Sequence, residues 1–159
     1  MTEHTTHTWL QSQPMAQAPF ATTGQHALVA VWGGRVGYVQ VAPAHQCETY
    51  SLLPFDMLTA SRDWAARLEA LGAKRVYWVT LSEQVRHLHI HLYPRWSDDE
   101  TDRGTALFDA RHTELANPQP WPSDVLNALA AWARHWDVAL LPTANQPLAA
   151  KMPLISAKF

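Results

Sequence analysis

The sequence predicts an α+β fold: a central antiparallel sheet of about five strands with two main helices. Three observations carry the prediction. Two β-branched, apolar runs flank a turn signal, Gly33-Gly34-Arg35. Two stretches, 54–71 and 123–136, repeat apolar residues at helical spacing. A second strand pair, 75–81 and 85–93, is joined by only three residues. Short hairpin connections between strands indicate segregated α and β elements rather than a parallel βαβ array.

The elements follow in order. Residues 1–25 form a polar arm with few bulky anchors (Trp9, Leu10, Met15, Phe20), and His4 and His7 belong to it. The domain spans 26–140. Its hairpin pairs His26–Trp32 with Val36–Ala42, which Pro43 stops. Pro54 suits the first turn of the helix over 54–71, and Met57, Leu58, Trp64, Ala65, Leu68 and Leu71 make its apolar stripe. Gly72 ends it. Strands 75–81 and 85–93 follow, the second ended by Pro94. Residues 97–121 are polar, with an acidic run at Asp98, Asp99, Glu100 and Asp102 and little periodicity. Unstructured stretches of this length serve as lids or partner-binding segments. Ser123 is the expected N-cap of the second helix, whose stripe is Val125, Leu126, Leu129, Ala133 and Trp136. Residues 141–159, with Pro142, Pro147 and Pro153, read as an extended C-terminal tail.

Composition narrows the function. The 159 residues carry 12 Lys and Arg against 14 Asp and Glu, a net charge of −2. That balance gives neither the basic surface of a nucleic-acid coat nor a polybasic membrane anchor. No nucleic acid and no membrane is therefore expected as partner. A single cysteine, Cys47, excludes an intramolecular disulfide. No apolar run approaches the ~20 residues of a membrane span, and residues 1–13 lack a signal pattern. A cytoplasmic protein is expected. Nine His and eight Trp are the unusual counts against so few fixed charges.

Three of the nine His are organised. In His87-Leu88-His89-Ile90-His91-Leu92, period-two alternation puts His87, His89 and His91 on one strand face and the aliphatics on the other. Same-face neighbours lie about 6.5–7 Å apart, a spacing that reaches successive groups of one extended polar ligand. Two chemistries use such a row. Neutral imidazoles ligate zinc, copper, iron or nickel, with His45 or His112 to complete the set. A neutral imidazole is also a nucleophile toward phosphorus, and its neighbours can donate hydrogen bonds to phosphoryl oxygens. Trp96, directly after the row, is the expected aromatic near the pocket. Trp64, Trp78 and Trp136 are expected to be structural.

The row His87-Leu88-His89-Ile90-His91-Leu92-Tyr93-Pro94-Arg95 resembles the histidine triad (HIT) superfamily of nucleotide hydrolases and transferases. Upstream, Gly37-Tyr38-Val39-Gln40-Val41-Ala42-Pro43-Ala44-His45 is similar to the family's glycine-led strand ending in Pro-x-His. The resemblance covers roughly residues 26–96; residues 97–159 carry no matching motif. It implies a HIT-like fold and hydrolysis of a nucleotide phosphoanhydride or phosphoramidate at the α-phosphate, through a covalent nucleotidyl-histidine. The most similar activity is that of dinucleoside polyphosphate hydrolases. His89 would be the nucleophile. His91 would bond phosphate oxygens and assist the leaving group. His87 would orient the others, with His45 packed behind it. Gln84 and Arg95 would contact phosphate. The resemblance implies a nucleotide or dinucleoside polyphosphate substrate, a homodimer, and no obligatory cofactor beyond Mg2+ carried on the polyphosphate.

The sequence departs from the family in two places. Thr80-Leu81-Ser82-Glu83 has neither the glycine nor the Asn of the family loop, leaving Thr80 or Ser82 to supply that polar contact. Val31-Trp32-Gly33-Gly34 lacks the ribose-binding acid, and Trp32 would stack on a base or lie in the core. Two other functions fit the same residues: a metal-binding His-x-His protein, and a non-catalytic nucleotide-binding module.

Overall fold

The computed structural model describes residues 26–82 and 86–143. The chain runs β1 (Leu28–Trp32), β2 (Val39–Pro43), a 3-10 turn at Tyr50–Leu52, and helix α1 (Phe55–Ala70). It continues through β3 (Arg75–Val79), β4 (Ile90–Arg95), a second 3-10 turn at Glu100–Asp102, and two short helices, α2 (Gly104–Asp109) and α3 (Arg111–Ala116). Helix α4 (Ser123–His135) and β5 (Val138–Pro142) complete it. The α+β expectation and the two main helices hold.

The five strands form one sheet in the order β3-β4-β2-β1-β5. It is mixed rather than wholly antiparallel. The pairs β1–β2, β2–β4 and β3–β4 are antiparallel, but β5 lies parallel to β1, with Leu28 opposite Val138 and Trp32 opposite Pro142. A parallel partner needs a long crossover, usually with a helix, and α4 provides it. Leu141 and Pro142 therefore belong to the sheet and not to a tail, and the Thr143 N–H donates to the Trp32 carbonyl at 2.9 Å.

Strand alternation sorts the sheet into two faces. Leu28, Ala30, Trp32, Val39, Val41, Ile90 and Leu92 point toward α1 and α4 and make the main core with Met57, Trp64, Leu68, Leu129 and Trp132. Several indoles pin neighbouring elements through N–H bonds to buried carbonyls: Trp64 to Gly37 at 3.1 Å, Trp132 to Ala60 at 2.7 Å, and Trp96 to Val36 at 2.8 Å. Each gives an indole N–H, buried or half-buried, an acceptor. Trp32 packs edge-on against Trp121, ring centres 4.8 Å apart, both buried. Trp32 is thus core, not a base-stacking platform. Trp78, expected in the core, is exposed because β3 is an edge strand. Tyr50, Leu52, Phe55, Leu58 and Leu81 are also exposed, around the β3 edge and the start of α1.

Gly37 lets β2 start beneath α1. Its φ is +84°, and a Cβ there would sit 2.7 Å from Leu68 Cδ2. Only glycine combines that backbone conformation with so close a helix. At the end of α1, Gly72 takes φ +107° and the Ala73 N–H returns to the Leu68 carbonyl, which closes the helix as its sequence position implies. Ser123 is the first residue of α4 rather than its cap; Pro122 occupies the cap position.

The opposite sheet face carries Val29, Val31, Ala42 and Ala44 at one end. At the other, Tyr38 and Tyr93 pack with Leu107 and Leu115 from α2 and α3. The segment expected as an aperiodic loop therefore folds as two six-residue helices. Each is too short to display a stripe and buries a single leucine. Arg35 in the hairpin turn fastens the segment. It donates from Nη1 to Asp102 at 2.8 Å and from Nε to Glu114 at 3.0 Å. Among the described residues, no helix is long and apolar enough to cross a membrane.

Candidate functional site

The histidine row begins before its strand. Strand β2 ends at Pro43, so the ladder with β4 starts only at Ile90, which lies opposite Val41. Residues 87 and 88 are held instead by the loop after β2. The His87 ring donates from Nε2 to the Pro43 carbonyl at 3.0 Å, and its Nδ1 accepts from the Cys47 N–H at 3.4 Å. The Leu88 N–H donates to the Cys47 carbonyl at 2.8 Å. Ile90 and Leu92 enter the main core, and the His89 and His91 rings pack together on the other face.

His87 is fully buried. Its backbone carbonyl holds the His89 ring, and its own ring is supported differently from the expectation. His45 is exposed, not packed behind the ring. The backbone of Pro43 and Cys47 takes that place, which turns on loop geometry that side-chain identity does not reveal. Both His87 nitrogens bond backbone groups, so its ring cannot also ligate a metal. Among the described residues no three His, Cys, Asp or Glu side chains are grouped to hold a metal ion.

His89 lies at the centre. Its Nδ1–H donates to the His87 carbonyl at 2.9 Å, which fixes the tautomer and puts the lone pair on Nε2. Ser82 Oγ accepts from the His89 N–H at 3.4 Å and lies 3.4 Å from its Nδ1. Ser82 adopts φ +49°, a left-handed conformation rare for a residue with a Cβ. The His89 ring packs edge-on against His91 at 5.0 Å.

His91 is buried on β4, opposite Gln40 of β2. Its Nδ1 is 2.8 Å from the Tyr38 hydroxyl. Gln40 lies close enough to the same phenol to favour its ionised form, but burial outweighs that influence and keeps the phenol protonated. The protonated phenol donates to His91 Nδ1. The network thereby assigns the His91 proton to Nε2, as a donor. Phe108 of α2 packs edge-on against His91 at 5.2 Å.

Burial sets the charge state of the row. Loss of hydration pushes His87 and His89 below the ordinary imidazole range. His91 falls to about 3, chiefly through burial, with the nearby His89, Arg111 and His112 adding to the effect. Burial also raises the Tyr38 phenol, keeping it a hydrogen-bond donor. At neutral pH the row is three uncharged imidazoles: His89 with a lone pair on Nε2, His91 with a proton on Nε2, and His87 as scaffold.

The other expected site residues fall elsewhere. Trp96 lies on the helix side, in contact with the main core, and its indole is committed to Val36. Its even sequence offset from Ile90 puts it on the wrong face. Arg95 shares the face of His91 but lies two pleats further along the strand, where Nη2 is 3.8 Å from Asp98. Gln84 lies outside the described residues. Tyr38, Gln40, Phe108 and Arg111 surround the row and were not expected there. Tyr38 and Gln40 were legible in principle, since period-two alternation from Gly37 places them on one β2 face. Phe108 and Arg111 had no sequence signal. A scan against protein-family models matches no family, and a search of curated proteins finds no match.

Proposed function

We propose that this protein is a nucleotide hydrolase of the HIT type, acting on the α-phosphate of a phosphoanhydride or phosphoramidate through a nucleotidyl-histidine. The observation that carries the reading is the His89 ring, held by the His87 carbonyl with its lone pair on Nε2. Burial keeps the His89 imidazole neutral, so its Nε2 lone pair is available to phosphorus at neutral pH. His89 Nε2 attacks phosphorus, a P–N bond forms, and the P–O or P–N bond to the leaving group breaks with its electron pair. His91 Nε2–H donates to the phosphoryl oxygen or the leaving atom as charge develops there. Water then attacks phosphorus, the electron pair returns to His89 Nε2, and a nucleoside monophosphate is released.

The resemblance of 26–96 to histidine triad proteins supports this assignment. Tyr38 adds a positioning role, since its bond to His91 Nδ1 holds the proton where the chemistry needs it. No cofactor is required by these steps; Mg2+ would arrive on a polyphosphate substrate. The exposed apolar residues around the β3 edge fit the implied homodimer. A single, buried cysteine fits a cytoplasmic location.

The test is incubation with diadenosine tetraphosphate, diadenosine triphosphate and adenosine 5′-phosphoramidate, with and without Mg2+. Wild type should release AMP from at least one. His89→Ala should lower turnover at least about a thousandfold, as loss of a covalent nucleophile does. Full activity in His89→Ala, or no turnover by wild type, refutes the assignment. Nucleotide binding without turnover would favour the non-catalytic module.

A further inference from the structure

We propose that Arg111, held over the site by Phe108, binds the polyphosphate that departs when His89 attacks, so that the site selects phosphoanhydrides over phosphoramidates. The inference rests on the nucleotide-hydrolase assignment and deepens it by naming the leaving group. Four groups lie in series. The rings of His89 and His91 are 5.0 Å apart, those of His91 and Phe108 are 5.2 Å apart, and the Arg111 guanidinium carbon is 4.1 Å from the Phe108 ring centre. The guanidinium charge is therefore within about 9 Å of the His91 ring, close enough to act on both His91 and Tyr38.

Among the described residues, Arg111 is in no ion pair. Glu114, on the same helix, is engaged by Arg35. Arg111 itself is half-buried, with Nη1 donating to the Phe108 carbonyl at 3.3 Å and its guanidinium carbon over the ring. That arrangement fixes a planar, permanently charged donor group at modest entropic cost. His112, next in the chain and exposed, also acts on His91.

A phosphate beside neutral imidazoles gains hydrogen bonds but meets no formal charge. A nucleoside diphosphate or triphosphate leaving from the His91 end extends toward the Arg111 cation, and charge-assisted bonds to it strengthen as negative charge develops on the leaving oxygens. Ammonia leaving from a phosphoramidate makes no such contact.

The experiment compares wild type, Arg111→Gln and Arg111→Lys. kcat/KM is measured on diadenosine tetraphosphate and adenosine 5′-phosphoramidate, and inorganic tripolyphosphate is titrated calorimetrically. Arg111→Gln should lose at least about tenfold on the tetraphosphate, the worth of one charge-assisted hydrogen bond, and stay within about twofold on the phosphoramidate. Arg111→Lys should recover part of the loss. Tripolyphosphate affinity should fall by at least about tenfold in Arg111→Gln. Equal losses on both substrates, an unchanged tetraphosphate rate, or tripolyphosphate binding that is absent or indifferent to Arg111 overturns the proposal. If wild type hydrolyses neither nucleotide, the hydrolase assignment fails by itself. The titration still decides the Arg111 site.

Discussion

Lowering the pH from 7.5 to 5 should cost this protein about 2 kcal/mol of folding stability through His91 alone. In the unfolded chain an imidazole titrates near 6.5; in the fold, burial takes His91 down to about 3. Between those values the unfolded state binds a proton that the native state refuses. Stability from this group is therefore complete above the unfolded value and is lost as pH falls through 6.5 toward the folded value. Each pH unit well inside the window costs about 1.4 kcal/mol, and the stretch above 6.5 contributes almost nothing. His91 is only 9% exposed, so solvent screening does little to reduce the effect. The assay is urea denaturation of wild type and His91→Gln at several pH values from 5 to 7.5. Glutamine can still accept from Tyr38 but cannot titrate. His87, His89 and His112 also titrate below their ordinary range and add a slope of the same sign in both proteins. The difference between the two curves isolates His91. Identical pH dependence in the two proteins would refute the argument that burial holds His91 neutral.

Tyr38→Phe removes the donor to His91 Nδ1 and leaves a buried acceptor unpaired, so about 1–3 kcal/mol of stability should be lost. With the His91 proton no longer assigned to Nε2, kcat should fall by about ten- to a hundredfold; steady-state kinetics beside a urea curve measure both. Gly37→Ala should destabilise by roughly 2 kcal/mol or more, since a Cβ at φ +84° meets Leu68 at 2.7 Å. A urea midpoint within error of wild type would contradict that contact. Arg35→Met strips two carboxylates of their partner. Amide exchange over residues 100–116 should accelerate well before the sheet opens. Leu81→Glu places a charge among the exposed apolar residues beside the β3 edge; if a homodimer pairs there, light scattering should show a monomer.

Much of the core of this molecule can be read from local pattern. The stripe through Met57, Trp64 and Leu68 buries as its spacing implies, because α1 packs one face against the sheet. The alternation through Ile90 and Leu92 sends His91, with His89 packed against it, to the other side. What the pattern hid depends on chain-distant partners. Trp78 has the composition of a core strand residue, yet its exposure follows from β3 being at the edge, and strand order is not written in any one segment. His45 sits in a motif-like position, but the backbone of Pro43 and Cys47 supports His87 instead. Arg111 and Phe108 reach the site because Leu107 and Leu115 pack on Tyr38 and Tyr93 and because Arg35, some seventy residues earlier, binds Asp102 and Glu114. No periodicity within 97–121 records that tether.

The parallel docking of β5 on β1 also bears on how the chain matures at the ribosome. The outer edge of β1 has no strand beside it until Val138–Pro142 is made, long after β4 is complete at Arg95. At synthesis rates of about 5–20 residues per second, that wait is on the order of several seconds. Throughout it the nascent sheet offers an open, apolar edge on a strand whose five residues all become buried. Such edges template wrong pairings. By docking on β1, β5 thus also covers the apolar edge that stays open longest during synthesis.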